Sequence, residues 1–595
     1  MQRETLREKQ VREAEELLFA GPQKLGFAKG LFLGKFISRW VMPYPGFSPE
    51  EEPGVERAVR EVREFLDRDL DPVAIDRQAD IPGGVIERLG QLGLLGMTAP
   101  TEAGGKGFSQ MAYCRVMEEV GARCGSTAVF INAHHSIGMR ALLLFGTPEQ
   151  KQRWLPDLVS GRKLAAFALT EPEAGSDAGN VQTQAQPSAD GSHYILNGKK
   201  RYITNAAIAQ VLTVMARTPV PGKTETAITA FLVTPDMPGY ELTEARMEKL
   251  GIRGTVTGRL AFHDMPVPKE NILGPVGKGL KVALTVLDFG RTTFGACSTG
   301  AAKFALALAI RHANSRRQFG RTLGEFELVK KKIARMAASV YAMEAMTTVT
   351  ASLIDRGLED YMAETAMLKV FTTEALWEIV NDSFQIHGGS AYFTDSPLER
   401  MLRDTRINLV AEGANEILTS FIALVGLRGP GEQFRELRDA LQHPGRGLGR
   451  AWRLGLARVG PVLSAPEVPV SNPDLAGHAS RLGKLVHSFN LAADRSLIRH
   501  KEEILERQYV HERLARAAIE IFASACVLSR WDKNGAGGAP GAGMNQIPDL
   551  FLRGSGRRVR HHLSELRDNE DAATTATADW VLKANSNASN GELDE

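Results

Sequence analysis

The chain predicts a mainly α fold built around one central β domain, and three observations predict it. Apolar residues recur at helical spacing before about residue 165 and again after about 280. The stretch between them changes to a period of two. Glycine and proline cut that middle stretch into short runs. With 595 residues there is length for three or four domains and a large buried core.

Residues 1–45 read as an N-terminal extension, a charged helix followed by "KGLFLGKFISRWVMPYP" and a proline turn. From 46 to 165 the pattern is helical: "GVERAVREVREFLDRDL" puts Val55, Val59, Val62 and Leu66 on one face. From 166 to 280 the runs "HYILNGKKRYITN", "VLTVMART", "ITAFLVT" and "GRLAFHDMPV" read as short strands, and Asn197-Gly198 is a strong hairpin signal. "GPVGKGLK" (274–281) lacks the spacing of a phosphate loop and reads as a turn into a helix starting near Leu280. From 281 to 430 long helices return. Phe326, Val329, Ile333, Met336, Val340 and Met343 make one core-facing stripe of a bundle helix that ends near Gly357. Residues 431–474 form a basic and apolar linker, and 475–595 an additional helical domain. That domain contains a glycine-rich loop at 534–546 and ends in a polar tail expected to be disordered.

Bulk properties exclude several functions. A net charge of +2 lacks the basic face expected of a nucleic-acid binder, so no nucleic-acid partner is expected. Cys114, Cys124, Cys297 and Cys526 have no metal-ligand spacing and no disulfide framework, which fits a reducing compartment and no metal. The N-terminus is Glu-rich and lacks an apolar signal core, and no apolar run approaches membrane-spanning length. A cytoplasmic protein is expected.

Two stretches could carry chemistry. In "AAFALTEPEAGSDAGNVQT" (165–183) a strand ends at Leu169–Thr170 and enters a loop with Gly175, Ser176 and Asp177. Such a loop can cradle a phosphate or the polar edge of a flat ring, or be an ordinary surface loop. In "MLRDTRINLVAEGANEILTSF" (401–421) Glu412 stands between an apolar run and a helix start. It is either a carboxylate complementing a helix N-terminus or a reactive base.

A resemblance weighs on both. "AFALTEPEAGSDA", "RYITN", "ANSRRQFGRTL", "QIHGGSAYF" and "LERMLRDTRINLVAEGANEIL" occur in the order and at the spacing of the acyl-CoA dehydrogenase flavoproteins, over roughly residues 75–430. The second helical block and the "LFLGKF…PYP" opening further resemble the very-long-chain branch. The resemblance implies a helical N-terminal domain, a β-barrel-like middle domain, a C-terminal four-helix bundle and an extra C-terminal helical domain, with FAD at the junction. It implies that a carboxylate, here Glu412, removes the α-proton of an acyl-CoA thioester. It assigns Phe167, Leu169, Thr170 and Ser176 to FAD, with Ser176 also close to CoA. Tyr202, Ile203 and Thr204 would wall the ring, and Arg316, Gln318 and Phe319 would reach the FAD of a neighbouring subunit. Gln385, Gly388 and Gly389 would meet the adenosine side. Gly413, Ala414, Asn415 and Glu416 would also line FAD, and Asp288, Arg291, Ala411 and Gly413 would face substrate.

The pattern departs from the family at five positions. Ala411 and Ala414 stand where an aromatic residue and Thr are usual, Tyr202 where Trp is usual, Thr419 where Arg is usual, and Ala391 where Gly is usual. The resemblance therefore leaves three activities open: a long-chain dehydrogenase passing electrons to electron-transfer flavoprotein, an acyl-CoA oxidase, or a scaffold with little catalysis. A homodimer is expected. Residues 439–464 alternate four arginines with Leu448, Trp452, Leu454, Leu456 and Val459, which suits either an anionic membrane face or a linker.

Overall fold

The computed structural model describes residues 25–220, 222, 225–442, 463–535 and 545–586. Most of the basic and apolar segment 439–464, the glycine-rich loop and the polar tail lie outside the described residues.

The N-terminal extension forms α1 (Phe27–Phe32), and the N-terminal layer consists of α2 (Glu52–Arg68), α3 (Pro72–Gln78), α4 (Gly83–Gln91), α5 (Gln110–Arg123), α6 (Gly125–Ile131), α7 (Met139–Phe145) and α8 (Pro148–Ser160). The stripe Val55, Val59, Val62 and Leu66 of α2 is buried, as its spacing requires. A π-helical turn, Asn132–Gly138, joins α6 to α7. Such turns are frequent at functional sites.

The middle domain is one eight-stranded sheet: β1 (Ala165–Ala168), β2 (Gln184–Pro187), β3 (His193–Thr204), β4 (Val211–Pro219), β5 (Thr226–Val233), β6 (Tyr240–Glu244), β7 (Thr257–Pro268) and β8 (Ile272–Leu273). The order is β6-β7-β3-β2-β4-β5-β8, with β1 parallel to β4. The hairpin expected at Asn197-Gly198 does not form. The chain runs through both residues inside β3, pairing along β7 with a register shift between Leu196 and Gly198. Tertiary contacts override the local signal. The Asn197 amide exchanges hydrogen bonds with Asp264, donating to its Oδ1 and accepting from its N–H, both at 2.9 Å. A Cβ at Gly198 would lie 2.7 Å from the Thr183 Cα, so the glycine serves close strand approach rather than a turn.

The bundle is made by α9 (Gly279–Ser315), α10 (Glu327–Asp355), α11 (Met362–His387) and α13 (Asn415–Gln442), with α12 (Pro397–Arg406) crossing one end. Between α9 and α10 a short arm pairs β9 (Arg317–Gln318) with β10 (Arg321–Thr322). The additional domain contains α14 (Ala476–His500), α15 (Gln508–Gly535), α16 (Gln546–Ser564) and α17 (Asp571–Ser586). Two helical stretches, Gly125–Phe145 and α9, are long and apolar enough to cross a membrane, although no such run was expected. Both lie largely buried inside the protein, so core packing explains their composition.

The N-terminal extension locks bundle and additional domain together. Phe27, Leu31 and Phe32 of α1 are fully buried, and burial of each contributes about 1.5–3 kcal/mol. The Phe32 ring meets Phe489 edge-on at 4.8 Å, and the Asn490 amide donates to the Phe32 carbonyl at 2.9 Å. The Ala28 N–H donates to Glu364 of α11 at 2.8 Å.

Candidate active site

Glu412 does not cap a helix. It lies in the turn between α12 and α13, three residues ahead of Asn415, and the acid in the first turn of α13 is Glu416. Its backbone is left-handed, with φ 59°, and Gly413 follows at φ 98°. A left-handed non-glycine residue costs on the order of 1–3 kcal/mol and is held only where the surroundings impose it. Tyr202 (φ 60°) and Phe319 (φ 52°) share this conformation, so three residues singled out by motif are also backbone outliers.

The surroundings that impose it come from α9 and α11. Arg291 Nε donates to the Glu412 carbonyl at 3.1 Å, and Arg291 Nη1 donates to Asp288 Oδ1 at 2.9 Å. The Thr365 hydroxyl donates to the same Asp288 oxygen at 2.8 Å. Lys369 Nζ donates to the Gly413 carbonyl and to Asn415 Oδ1, each at 2.8 Å. Asp288 and Arg291 are thus brought to the turn as its anchors. Thr365 and Lys369 had not been singled out. The signal was present, because a lysine inside the apolar run "AMLKVF" must find a buried partner.

The Glu412 carboxyl points over Gly290. A Cβ on Gly290 would lie 3.0 Å from Glu412 Oε2 and 2.9 Å from Ile137 Cγ2, so only glycine leaves the carboxyl its room. Glu412 as a residue keeps some exposure, but Oε2 is enclosed and has no hydrogen-bond partner. Burial pushes the Glu412 carboxyl up to about 7, against the pull of the Arg291 and Lys369 charges. Burial likewise pushes Asp288 up to about 6 and Lys369 down to about 7. The Glu412 N–H has no protein partner among the described residues.

Phe167 and Leu169 are buried at the end of β1 and just beyond it. The Thr170 carbonyl accepts from the Arg201 N–H at 2.9 Å, which ties the loop leaving β1 to β3. A buried ion pair that sequence reading missed holds this loop from below. Lys200 Nζ donates to Glu171 Oε1 at 2.6 Å and to the Leu169 and Met215 carbonyls at 3.2 and 2.7 Å. Glu171 also accepts the N–H groups of Gln182 and Thr183 at 2.5 and 3.1 Å. Burial pushes Lys200 down to about 8, against the neighbouring carboxylate. Ser176 is exposed on the loop, and Gly175 has open space beside it.

Tyr202 sits at the second irregularity of β3, between Lys200 and Ile203, and is 53% exposed with the Arg201 guanidinium 4.6 Å from its ring centre. Ile203 is buried and Thr204 half-buried. Arg316, Gln318 and Phe319 project on the β9–β10 arm, with Phe319 93% exposed. Gln385, Gly388 and Gly389 lie exposed at the end of α11, and nothing stands near either glycine's Cβ position. Asn415 is buried and Glu416 exposed, while Ala411, Gly413 and Ala414 are half-buried. Within one chain the anchors of the Glu412 turn come together. The arm and the α11 end instead present unpartnered surface. An exposed ring at Tyr202, open glycines and an unpartnered buried Oε2 fit a flat-ring dinucleotide and a substrate that completes the enclosure.

Family models match along the chain in four stretches. They are the acyl-CoA dehydrogenase N-terminal domain at 54–162, the middle domain at 166–265, the C-terminal domain at 277–427, and the ACAD9/ACADV C-terminal domain at 473–588. The chain is 35% identical over 561 residues to the very long-chain specific acyl-CoA dehydrogenase, mitochondrial, of Homo sapiens, covering 92% of this chain and 85% of that protein. The Mus musculus counterpart is 34% identical over 562 residues, with the same coverage. The crystal structure of an acyl-CoA dehydrogenase complexed with FAD from Bacillus anthracis superposes with a TM-score of 0.77 at 28% identity, covering 90% of this chain and 91% of that one. The chain belongs to the acyl-CoA dehydrogenase family and is an FAD-dependent acyl-CoA dehydrogenase.

Proposed function

We propose that the protein oxidises long-chain acyl-CoA thioesters to trans-2-enoyl-CoA, with Glu412 as the base, and delivers the electrons to electron-transfer flavoprotein. The observation that carries this is the Glu412 carboxyl itself. It is enclosed, lacks a partner at Oε2, and is pushed up to about 7 where a base works best near neutral pH. The four-stretch family match, including the additional C-terminal domain, supports the long-chain assignment.

FAD, when bound, supplies the two-electron acceptor for the β-hydrogen. The chain's own residues do the rest. Arg291 and Lys369 hold the carbonyls of residues 412 and 413, which fixes the direction of the carboxyl. Gly290, lacking a Cβ, leaves the carboxyl room to keep that direction. The Glu412 N–H donates to the thioester oxygen, where negative charge develops as the α-proton leaves. Phe167, Leu169, Thr170, Tyr202, Ile203 and Thr204 would hold the ring, and Ser176 would hold phosphate. Gly413, Ala414, Asn415 and Glu416 complete the wall. Arg316, Gln318 and Phe319, with Gln385, Gly388 and Gly389, serve the cofactor across a homodimer interface. A guanidinium suits a diphosphate because its fork of donors matches the oxygens.

Anaerobic addition of acyl-CoAs of graded length to the FAD-loaded protein tests the reading. Long chains should bleach the flavin and short ones should do so poorly. The reduced enzyme should then pass electrons to electron-transfer flavoprotein faster than to oxygen. Bleaching confined to short chains, or preferential reaction with oxygen, would contradict it.

A further inference from the structure

A cavity begins one turn beyond the Glu412 carboxyl. It is partly open to solvent and is walled by α5, α6, α9, α11 and α12. Gly290 faces Glu412; Phe294, four residues further along α9, already lines the cavity, and Ser298 follows. On the opposing helical stretch Ile137 stands at Gly290, while Asn132 and Val129 line the cavity. Along both helical stretches the cavity-lining positions follow the positions beside the carboxyl. Ser298 is eight residues from Gly290, roughly 12 Å at the helical rise.

Most of the wall is apolar, with Phe294, Leu376, Met401 and Val129 among it. Seven polar or charged side chains also line it, and two of them, Asn132 and Ser298, carry buried atoms without a partner. Asn132 and Ser298 are each only 2% exposed, and both Asn132 Oδ1 and Ser298 Oγ are buried without a hydrogen-bond partner. A buried polar atom left unpaired is unfavourable, and two in one cavity wall call for a ligand that satisfies them.

Resting on the dehydrogenase reading above, we propose that this cavity receives the distal part of the acyl chain and that Asn132 and Ser298 select a chain bearing a hydroxyl there. A hydroxyl both donates and accepts, so it can bond an amide oxygen or a second hydroxyl, whereas a methylene can bond neither. A neutral group fits better than a carboxylate, because Arg400 and Asp404 set opposite charges in the same wall and the Arg123 side chain is already paired with Asp67. A site built to hydrogen-bond a hydroxyl rejects the analogue lacking it, since its own polar groups are then left unpaired.

Two measurements on the FAD-loaded full chain test this. Anaerobic flavin bleaching by unsubstituted acyl-CoAs reports on the underlying dehydrogenase reading. Calorimetric titration of the Glu412→Gln protein, with the same chains and with their ω-hydroxy counterparts, reports on the cavity. At one or more chain lengths the hydroxyl should tighten Kd about tenfold or more. Asn132→Leu, and separately Ser298→Ala, should abolish that ratio. If unsubstituted chains bleach the flavin but the hydroxyl weakens binding at every length, water fills the polar site and the inference is overturned while the dehydrogenase reading stands. A hydroxyl preference that survives both substitutions also overturns it. If no acyl-CoA bleaches the flavin, the reading and the inference fall together.

Discussion

Arg291 Nε donates to the backbone carbonyl of Glu412 at 3.1 Å, so the cation of "LDFGR" grips the main chain of the base rather than its carboxylate. This leaves Oε2 without a partner while the guanidinium charge still lowers the carboxyl's affinity for a proton. Asp288 and Thr365 hold Arg291 in place from behind.

The pH dependence follows from that arrangement. A carboxyl pushed up to about 7, from 4.5, binds its proton more tightly in the folded protein. Its protonation contributes stability that is fully present below about pH 4.5 and lost as the pH rises through about 7. Activity runs the other way, because only the carboxylate takes a proton. Flavin reduction should rise with pH to a plateau with a midpoint near 7, and Arg291→Gln should move that midpoint alkaline by about one pH unit or more. Stopped-flow profiles of the two proteins decide; coincident midpoints would contradict the role given to the charge.

Gly290→Ala separates space from charge. The added Cβ would crowd both Glu412 Oε2 and Ile137. Displacing a reacting group by about 1 Å can cost on the order of 10²-fold in rate. Flavin reduction should fall by roughly that factor, with the flavin spectrum and thermal midpoint close to wild type. Unchanged reduction would mean that the carboxyl works from another position.

Lys200→Met tests the support beneath the loop after β1. It leaves Glu171 charged and buried, and breaking a buried pair from one side costs about 3–5 kcal/mol. Urea unfolding should report a loss of that size, together with weaker FAD retention. A loss below about 1 kcal/mol would show that water reaches the pair.

The exposed arm makes a prediction about assembly. If Arg316 and Phe319 complete a neighbour's cofactor site, Arg316→Ala should shed FAD on dilution more readily than wild type while remaining folded. Light scattering with flavin absorbance over a dilution series checks it. A monomer that keeps its full complement of FAD would contradict the arm's role.

Much of this was legible in the sequence because it depends on periodicity or on motif. The stripe from Val55 to Leu66 is buried as its spacing requires, and of the stripe from Phe326 to Met343 the residues Met336, Val340 and Met343 are buried while Phe326, Val329 and Ile333 are half-buried. The left-handed turn at Glu412 has no sequence signal of its own, since a residue other than glycine adopts it only under tertiary constraint, here from Arg291 and Lys369. Asn197-Gly198 misled for the same reason: a turn dipeptide became mid-strand once Asp264 and Thr183 were beside it. The pairing of Lys200 with Glu171 joins two motifs 29 positions apart, a separation that no local pattern spans.

The most direct test of the central claim is anaerobic flavin reduction by a long-chain acyl-CoA in wild type and Glu412→Gln. The variant should keep its FAD and bind the thioester, and should reduce at least about 10³-fold more slowly. Reduction at near wild-type rate would show that Glu412 is not the base.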